Sequence, residues 1–238
     1  MEKDSCIQEA TSINSLYQLM KNDVQGMVAG EREKIKARQS FGFLSQDQFC
    51  DLFCQFGTYV ILLRNQNVKF VIDKNNERMI RQLYFYLTGN FEFEGNLDRG
   101  IMLQGKYGCG KTILMETYAS LHNHLVKKTG LNVPLLTFTK SISLQSEIMK
   151  QPMSDFVRRP LVIDEFGRES KSVQDYGNIY RPLSELLSLR SDTGAITHGT
   201  TNFKLETLSS DEFYGKMVGD RLKSMFNFFV LEGESRRT

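Results

Sequence analysis

The segment Gly105-Lys106-Tyr107-Gly108-Cys109-Gly110-Lys111-Thr112 constrains this chain more than any other. It reads G-x-x-x-x-G-K-T and follows the apolar run Ile101-Met102-Leu103. Glycines at these steps let a loop wrap closely around phosphates, with its backbone N–H groups pointing inward. In such a loop Lys111 reaches the outer phosphates and Thr112 offers its hydroxyl to Mg²⁺. A helix that starts at Thr112 adds its positive N-terminal end to the same place. Strand, loop and helix follow in the order the pattern requires; a glycine-rich turn with a chance lysine is the alternative.

A second signal lies about fifty residues further on, at Leu161-Val162-Ile163-Asp164-Glu165. The apolar run predicts a strand buried on both faces of a parallel sheet. Its two acids then fall at the sheet's carboxyl edge, where open α/β sheets bind ligands. There Asp164 holds Mg²⁺ through water, and Glu165 orients and activates an attacking water. A strand end running into a solvated turn gives the same pattern when no phosphate loop precedes it.

Three more runs, 134–138, 195–202 and 227–231, read as strands, with helices between. The helix after the phosphate loop is expected over 112–128, with Leu114, Tyr118, Leu121 and Leu125 buried and Gly130 as its stop. Five strands alternating with helices predict a doubly wound three-layer α/β/α sandwich with a parallel sheet. Asn202 closes the fourth strand, where it touches the γ-phosphate or the water, or simply forms a turn. His198 lies inside that strand and reads as a packed or hydrogen-bonded histidine.

Before residue 69 the chain is helical. Ile13, Tyr17, Met20, Val24 and Met27 form one helical stripe, which fits docking onto the chain's own core or onto a partner protein. Residues 31–38 are a mixed-charge run, read as a solvated helix face or linker. Ser45 and Gln48 fit a capping box for a second helix carrying Phe49, Leu52, Phe53, Phe56 and Val60. Phe70-Val71-Ile72 looks strand-like, and Asp73 is placed to cap a third helix that ends at Thr88-Gly89-Asn90. A helical region over 1–68 and a nucleotide domain over 69–238 follow.

Composition adds limits. The 238 residues are 40% hydrophobic and 24% charged, enough for one well-filled domain and a smaller appendage. A net charge of +2 confines any nucleic-acid site to a local patch. No apolar run approaches the ~18 residues of a membrane span, and the polar start is unlike a secretory signal. Cys50 and Cys54, four apart on a helix with no histidine near, read as buried thiols or a zinc pair, and a reduced, cytoplasmic protein is expected.

Together the phosphate loop, Asp164-Glu165, Thr201-Asn202 and Gly219-Asp220-Arg221-Leu222 resemble AAA+ ATPases of the DnaC/IstB type, in its phage and mobile-element branch. The resemblance spans residues 69–238. It implies an AAA+ core without a carboxy-terminal lid, and a nucleotide site over residues 105–113, Ile113 included. Lys111, Thr112, Asp164 and Glu165 match the two Walker motifs, and Asn202 matches the polar sensor. Arg221 matches the arginine finger that reaches a neighbour's ATP, and Arg237 lies near a late nucleotide-sensing arginine. With Arg236 it reads equally as a loose basic tail. Implied cofactors are ATP and Mg²⁺. Implied partners are a replicative helicase or a transposase, single-stranded DNA, and further copies of the chain, with no membrane. Lys140, Lys150, Arg158 and Arg159 supply charge for DNA, although the aromatics near them, Phe138 and Phe156, are few. The competing readings are a transposition helper and a small-molecule kinase; a kinase usually needs an arginine-rich lid.

Overall fold

The fold is carried by five parallel strands whose C-terminal edge releases the phosphate loop. It was obtained as a computed structural model that describes residues 13–37, 41–175 and 178–236. In chain order the elements are α1 (Ile13–Ala37), α2 (Gln46–Leu62), α3 (Glu77–Thr88), β1 (Gly100–Gln104), α4 (Lys111–Thr129), β2 (Thr137–Lys140), α5 (Ser141–Ile148) and α6 (Ser154–Val157). They continue with β3 (Leu161–Phe166), β4 (Val173–Asp175), β5 (Asn178–Tyr180), α7 (Pro182–Asp192), β6 (Thr197–Thr201), α8 (Leu205–Leu208), α9 (Gly215–Met225) and β7 (Phe226–Val230). The main sheet has the order β2-β3-β6-β1-β7, all parallel. A separate antiparallel pair, β4 and β5, has no counterpart in the sequence reading.

Alternation along the strands sends side chains to two helical layers. Leu161 and Ile163 of β3 join Leu144 and Ile148 of α5, Leu183, Leu186 and Leu187 of α7, and Val218 and Leu222 of α9 in one buried cluster. On the opposite face, the His198 ring of β6 lies edge-on to Tyr86 of α3 and Tyr118 of α4, at 5.5 and 5.7 Å. His198 is therefore a packed residue. Its Nδ1 accepts the Ile101 N–H at 3.0 Å, and burial pulls its pKa down to about 3.

Arg190 is fully buried among the described residues without a carboxylate. Its guanidinium donates to the Phe156, Val157, Arg159 and Ile196 carbonyls and to the Thr197 hydroxyl. The donor fork is thus satisfied by carbonyl and hydroxyl dipoles from α6, the turn after it and β6. Gly219 marks another close approach: a Cβ there would run into Ser209, so α9 lies tight against the end of α8.

Several local readings change. The chain divides into units Met1–Arg38 and Gln39–Thr238, not at 68 and 69. The reason is that α2 belongs to the larger unit: its Phe49 and Phe53 are buried, Phe49 against Tyr84 of α3, and Phe56 meets His124 of α4. Burying two such rings is worth roughly 1.5–3 kcal/mol each. The Ser45–Gln48 capping box is formed, with both reciprocal bonds present. In α1, Leu16, Tyr17, Met20, Val24 and Met27 are exposed.

Phe70-Val71-Ile72 is not a strand. Its backbone is satisfied by side chains instead of a ladder: the Phe70 N–H donates to Thr58 Oγ1 and the Val71 carbonyl accepts from Asn76 Nδ2. Nor does Asp73 cap α3, whose N-cap is Asn76. Asp73 accepts the Asn75 N–H in an Asx turn and gives its own N–H to Asn76 Oδ1. Phe156, considered as a stacking aromatic, is a core residue. Cys50 and Cys54 are half-buried thiols whose pKa burial raises. No described helix is long and apolar enough to cross a membrane.

Candidate functional site

β1 ends at Gln104 and the chain turns through the phosphate loop into α4. Gly108 and Gly110 adopt φ of +81° and +104°, a region that side chains with a Cβ rarely enter. These two residues aim the loop's backbone at the N-terminus of α4, whose N-cap is Gly110. Tyr107 is 60% exposed at the loop's tip, and Cys109 is buried beneath it.

Lys111 is buried, and its ammonium donates to the Gly105 carbonyl, the Lys106 carbonyl and Asn202 Oδ1, each at 2.8 Å. The loop and the end of β6 therefore meet on one cation. Burial lowers the Lys111 pKa from its ordinary value, against the opposing pull of Cys109, Asp164 and Glu165. The ammonium's remaining contact is Cys109 Sγ at 3.7 Å; an ammonium bonded to no carboxylate among the described residues has charge to spare for an anion.

The Asp164 carboxylate is 1% exposed. Its Oδ1 accepts two hydroxyls, Thr112 Oγ1 at 2.9 Å and Thr200 Oγ1 at 2.6 Å. Its Oδ2 is buried without a hydrogen-bond partner. Burial raises its pKa, and the two hydroxyls oppose that rise. An orphaned carboxylate oxygen beside a threonine hydroxyl at a phosphate loop fits Mg²⁺ held through water, since this cation keeps most of its waters and takes few protein ligands. Among the described residues no group of three or more His, Cys, Asp or Glu is placed to hold a metal ion.

Glu165 stands beside Asp164 in the left-handed region, φ +62°. The β3–β6 register slips between Ile163 and Phe166, so the two acids occupy an irregularity in the ladder. Strain of this kind persists only where neighbours hold it. Here the Glu165 N–H donates to Thr200 Oγ1 at 2.9 Å and its carbonyl accepts from Ser141 Oγ at 2.9 Å. The carboxylate itself pairs with Arg168 at 2.7 Å.

Of the site residues expected from the sequence, the structure brings Lys111, Thr112, Asp164, Glu165 and Asn202 together through direct bonds or as chain neighbours. Arg221 is elsewhere: its guanidinium donates to the Ser188 carbonyl at 2.8 Å and to Asp192 at 2.5 Å, both on α7. Arg237 lies outside the described residues. Arg236, read as part of a loose basic tail, sits on the phosphate loop, its N–H bonded to the Gly108 carbonyl at 3.0 Å. Thr200, Ser141 and Arg168 carried no signal of their own; Thr200 was visible only as a member of a polar strand end.

No family model matches the chain, and no curated protein does. Solved structures do. The crystal structure of DnaI is similar at 20% identity with a TM-score of 0.50, over 71% of this chain and 87% of that one. A Streptococcus pyogenes serotype M3 protein described as a primosome component gives 20% identity and 0.50, over 71% and 85%. The DnaC helicase loader gives 21% identity and 0.47, over 68% and 93%. The first two likenesses show a shared fold, the α/β sandwich built on a five-stranded parallel sheet.

Proposed function

We propose that this chain is a DnaC-like AAA+ ATPase that binds and hydrolyses ATP, assembles on DNA, and loads or remodels a replicative helicase. The observation that carries the reading is the convergence of Lys111, Thr112, Asp164 and Asn202 on one end of the sheet, with Asp164 Oδ2 left for a hydrated cation. The shared fold with DnaI and the resemblance of the motifs support it.

In this reading the phosphate loop's N–H groups and Lys111 bind the β- and γ-phosphates. Thr112 and Asp164 would hold Mg²⁺, which when bound would neutralise charge on the phosphates. Glu165, freed from Arg168, orients the water and takes its proton on the carboxylate, while Asn202 fixes the γ-phosphate side. Arg221 of a neighbouring copy completes the site from across an interface. Exposed α1 residues recognise the protein partner, and Lys140, Lys150, Arg158 and Arg159, all exposed, contact phosphates of single-stranded DNA.

The test is ATP turnover by the purified chain, alone and with single-stranded DNA. Glu165→Gln is expected to bind ATP but lose turnover by about a hundredfold, in the range for a general base, and Lys111→Ala to lose binding. Turnover unchanged by Glu165→Gln overturns the assignment. Capture of a replicative helicase by the ATP-trapped Glu165→Gln protein, lost on truncating α1, is the expected partner result.

A further inference from the structure

After β7 the chain does not leave the sheet edge but turns back over the phosphate loop. Leu231 N–H bonds the Gln104 carbonyl at 2.7 Å, extending the β1–β7 pairing by one step. Gly233, at φ +130°, then passes the Asn75 side chain, about 3.6 Å from where a Cβ on it would lie. Ser235 covers Gly108 so closely that a Cβ there would strike it, and the Arg236 stem lies 3.4 Å from where a Cβ on Gly110 would be. The Arg236 N–H is bonded to Gly108 O, and both terminal nitrogens of its guanidinium meet the two Asp73 oxygens at 2.8 Å. Asp73 belongs to the hydrogen-bonded turn before α3, on the far side of the loop in sequence.

We propose that residues 231–236 form a strap latched by Arg236 to Asp73 across the phosphate loop, and that a nucleoside triphosphate enters by replacing Asp73 as the guanidinium's partner. This rests on the reading of the loop as a nucleotide site. Three features carry it. The strap is anchored at both ends, by Leu231 on Gln104 and by Arg236 on Gly108. The fork-to-carboxylate geometry is the one a guanidinium also offers to phosphate. The latch is partly solvent-exposed, 37% for Arg236 and 36% for Asp73, so it holds weakly and exchanges readily. Asp73 is an acid at the rim of an anion site; it sits there as a placeholder for the incoming charge and repels that charge once Arg236 has left it.

Stopped-flow binding of mant-ATP and mant-ADP with Mg²⁺ to the full chain tests this. Asp73→Asn keeps the acceptor for Asn75 N–H, so the turn stands while the ion pair goes. It is expected to raise the mant-ATP association rate about threefold or more without weakening affinity. Arg236→Gln also speeds association but weakens mant-ATP about tenfold through faster dissociation, and weakens mant-ADP less. The opposite effects of the two variants on affinity separate a latch from a merely structural pair. Rates and affinities of both variants within twofold of wild type overturn the strap, as does equal weakening by both, provided wild type binds and Lys111→Ala does not. No binding by wild type, or equal binding by Lys111→Ala, removes the nucleotide reading and the strap with it.

Discussion

The Glu165 carboxylate accepts a 2.7 Å bond from the Arg168 guanidinium across a turn at Gly167, whose φ is +87°. The pair holds the carboxylate toward Arg168 and away from the position in which it would meet a water. Arg168 is 46% exposed and can be drawn off by a phosphate or an acidic partner. Arg168→Gln is expected to raise basal ATP turnover about two- to fivefold, the range an exposed ion pair allows, and to blunt stimulation by DNA. A fall in turnover would show that Arg168 contributes to the reaction. Steady-state phosphate release with and without single-stranded DNA decides this.

Thr200 is the joint between the two acids, giving its proton to Asp164 and accepting the N–H of Glu165. Thr200→Val keeps the shape but leaves a part-buried N–H without its acceptor and Asp164 short of a donor. A loss of about 1–3 kcal/mol in unfolding free energy is expected by urea titration, with turnover falling more than nucleotide affinity. Thr200→Ser restores both.

Arg221 is bonded within its own chain to Ser188 and Asp192. If it serves a neighbour's site, those bonds exchange for phosphate on assembly. Arg221→Ala and Lys111→Ala proteins, each inactive alone, are expected to regain part of the wild-type turnover when mixed, because mixed interfaces pair an intact loop with an intact Arg221. Phosphate release across mixing ratios reads this out; a flat baseline contradicts the shared site.

Buried His198 ties stability to pH. Its folded pKa is about 3 against an ordinary 6.5. Between those values the unfolded chain binds the extra proton, so the contribution of neutral His198 is complete above 6.5 and is lost as pH falls toward 3. The slope approaches about 1.4 kcal/mol per pH unit at most. His198→Asn retains an acceptor for the Ile101 N–H and removes the titration, so its stability from pH 7 to 5 should fall less steeply in urea unfolding. His122, lowered by burial as well, keeps some slope in both proteins.

The sequence made legible what a local backbone pattern determines. The phosphate loop needs glycines at set steps, and Gly108 and Gly110 do take positive φ. An apolar run ending in two acids became β3, and the stop at Gly130 ends α4 in the left-handed region. Illegible were features decided by which distant atom satisfies a polar group. Phe70 to Ile72 has strand-like residues, but Thr58 and Asn76 supply the hydrogen bonds a strand would have sought. Asp73 has the chemistry of a helix cap and is taken instead by Arg236, 163 positions away. The slip in β3 that seats Glu165 has no residue signature, because it depends on the pairing of two strands. Similarly, α2 carried an apolar face whose partner, α4, lies beyond β1.

Arg190 has a consequence for the opposite end of the molecule. Its buried guanidinium grips the carbonyl of Arg159 at 2.8 Å and those of Phe156 and Val157. The exposed Arg158–Arg159 turn is thereby fastened from within by a cation of the same sign, and the nearby charge of Arg159 adds to burial in lowering Arg190 to about 9. Two charges that would repel are held together by the carbonyl backbone between them. A polyanion meeting this turn would find its main chain already immobilised, so little conformational freedom is surrendered on contact.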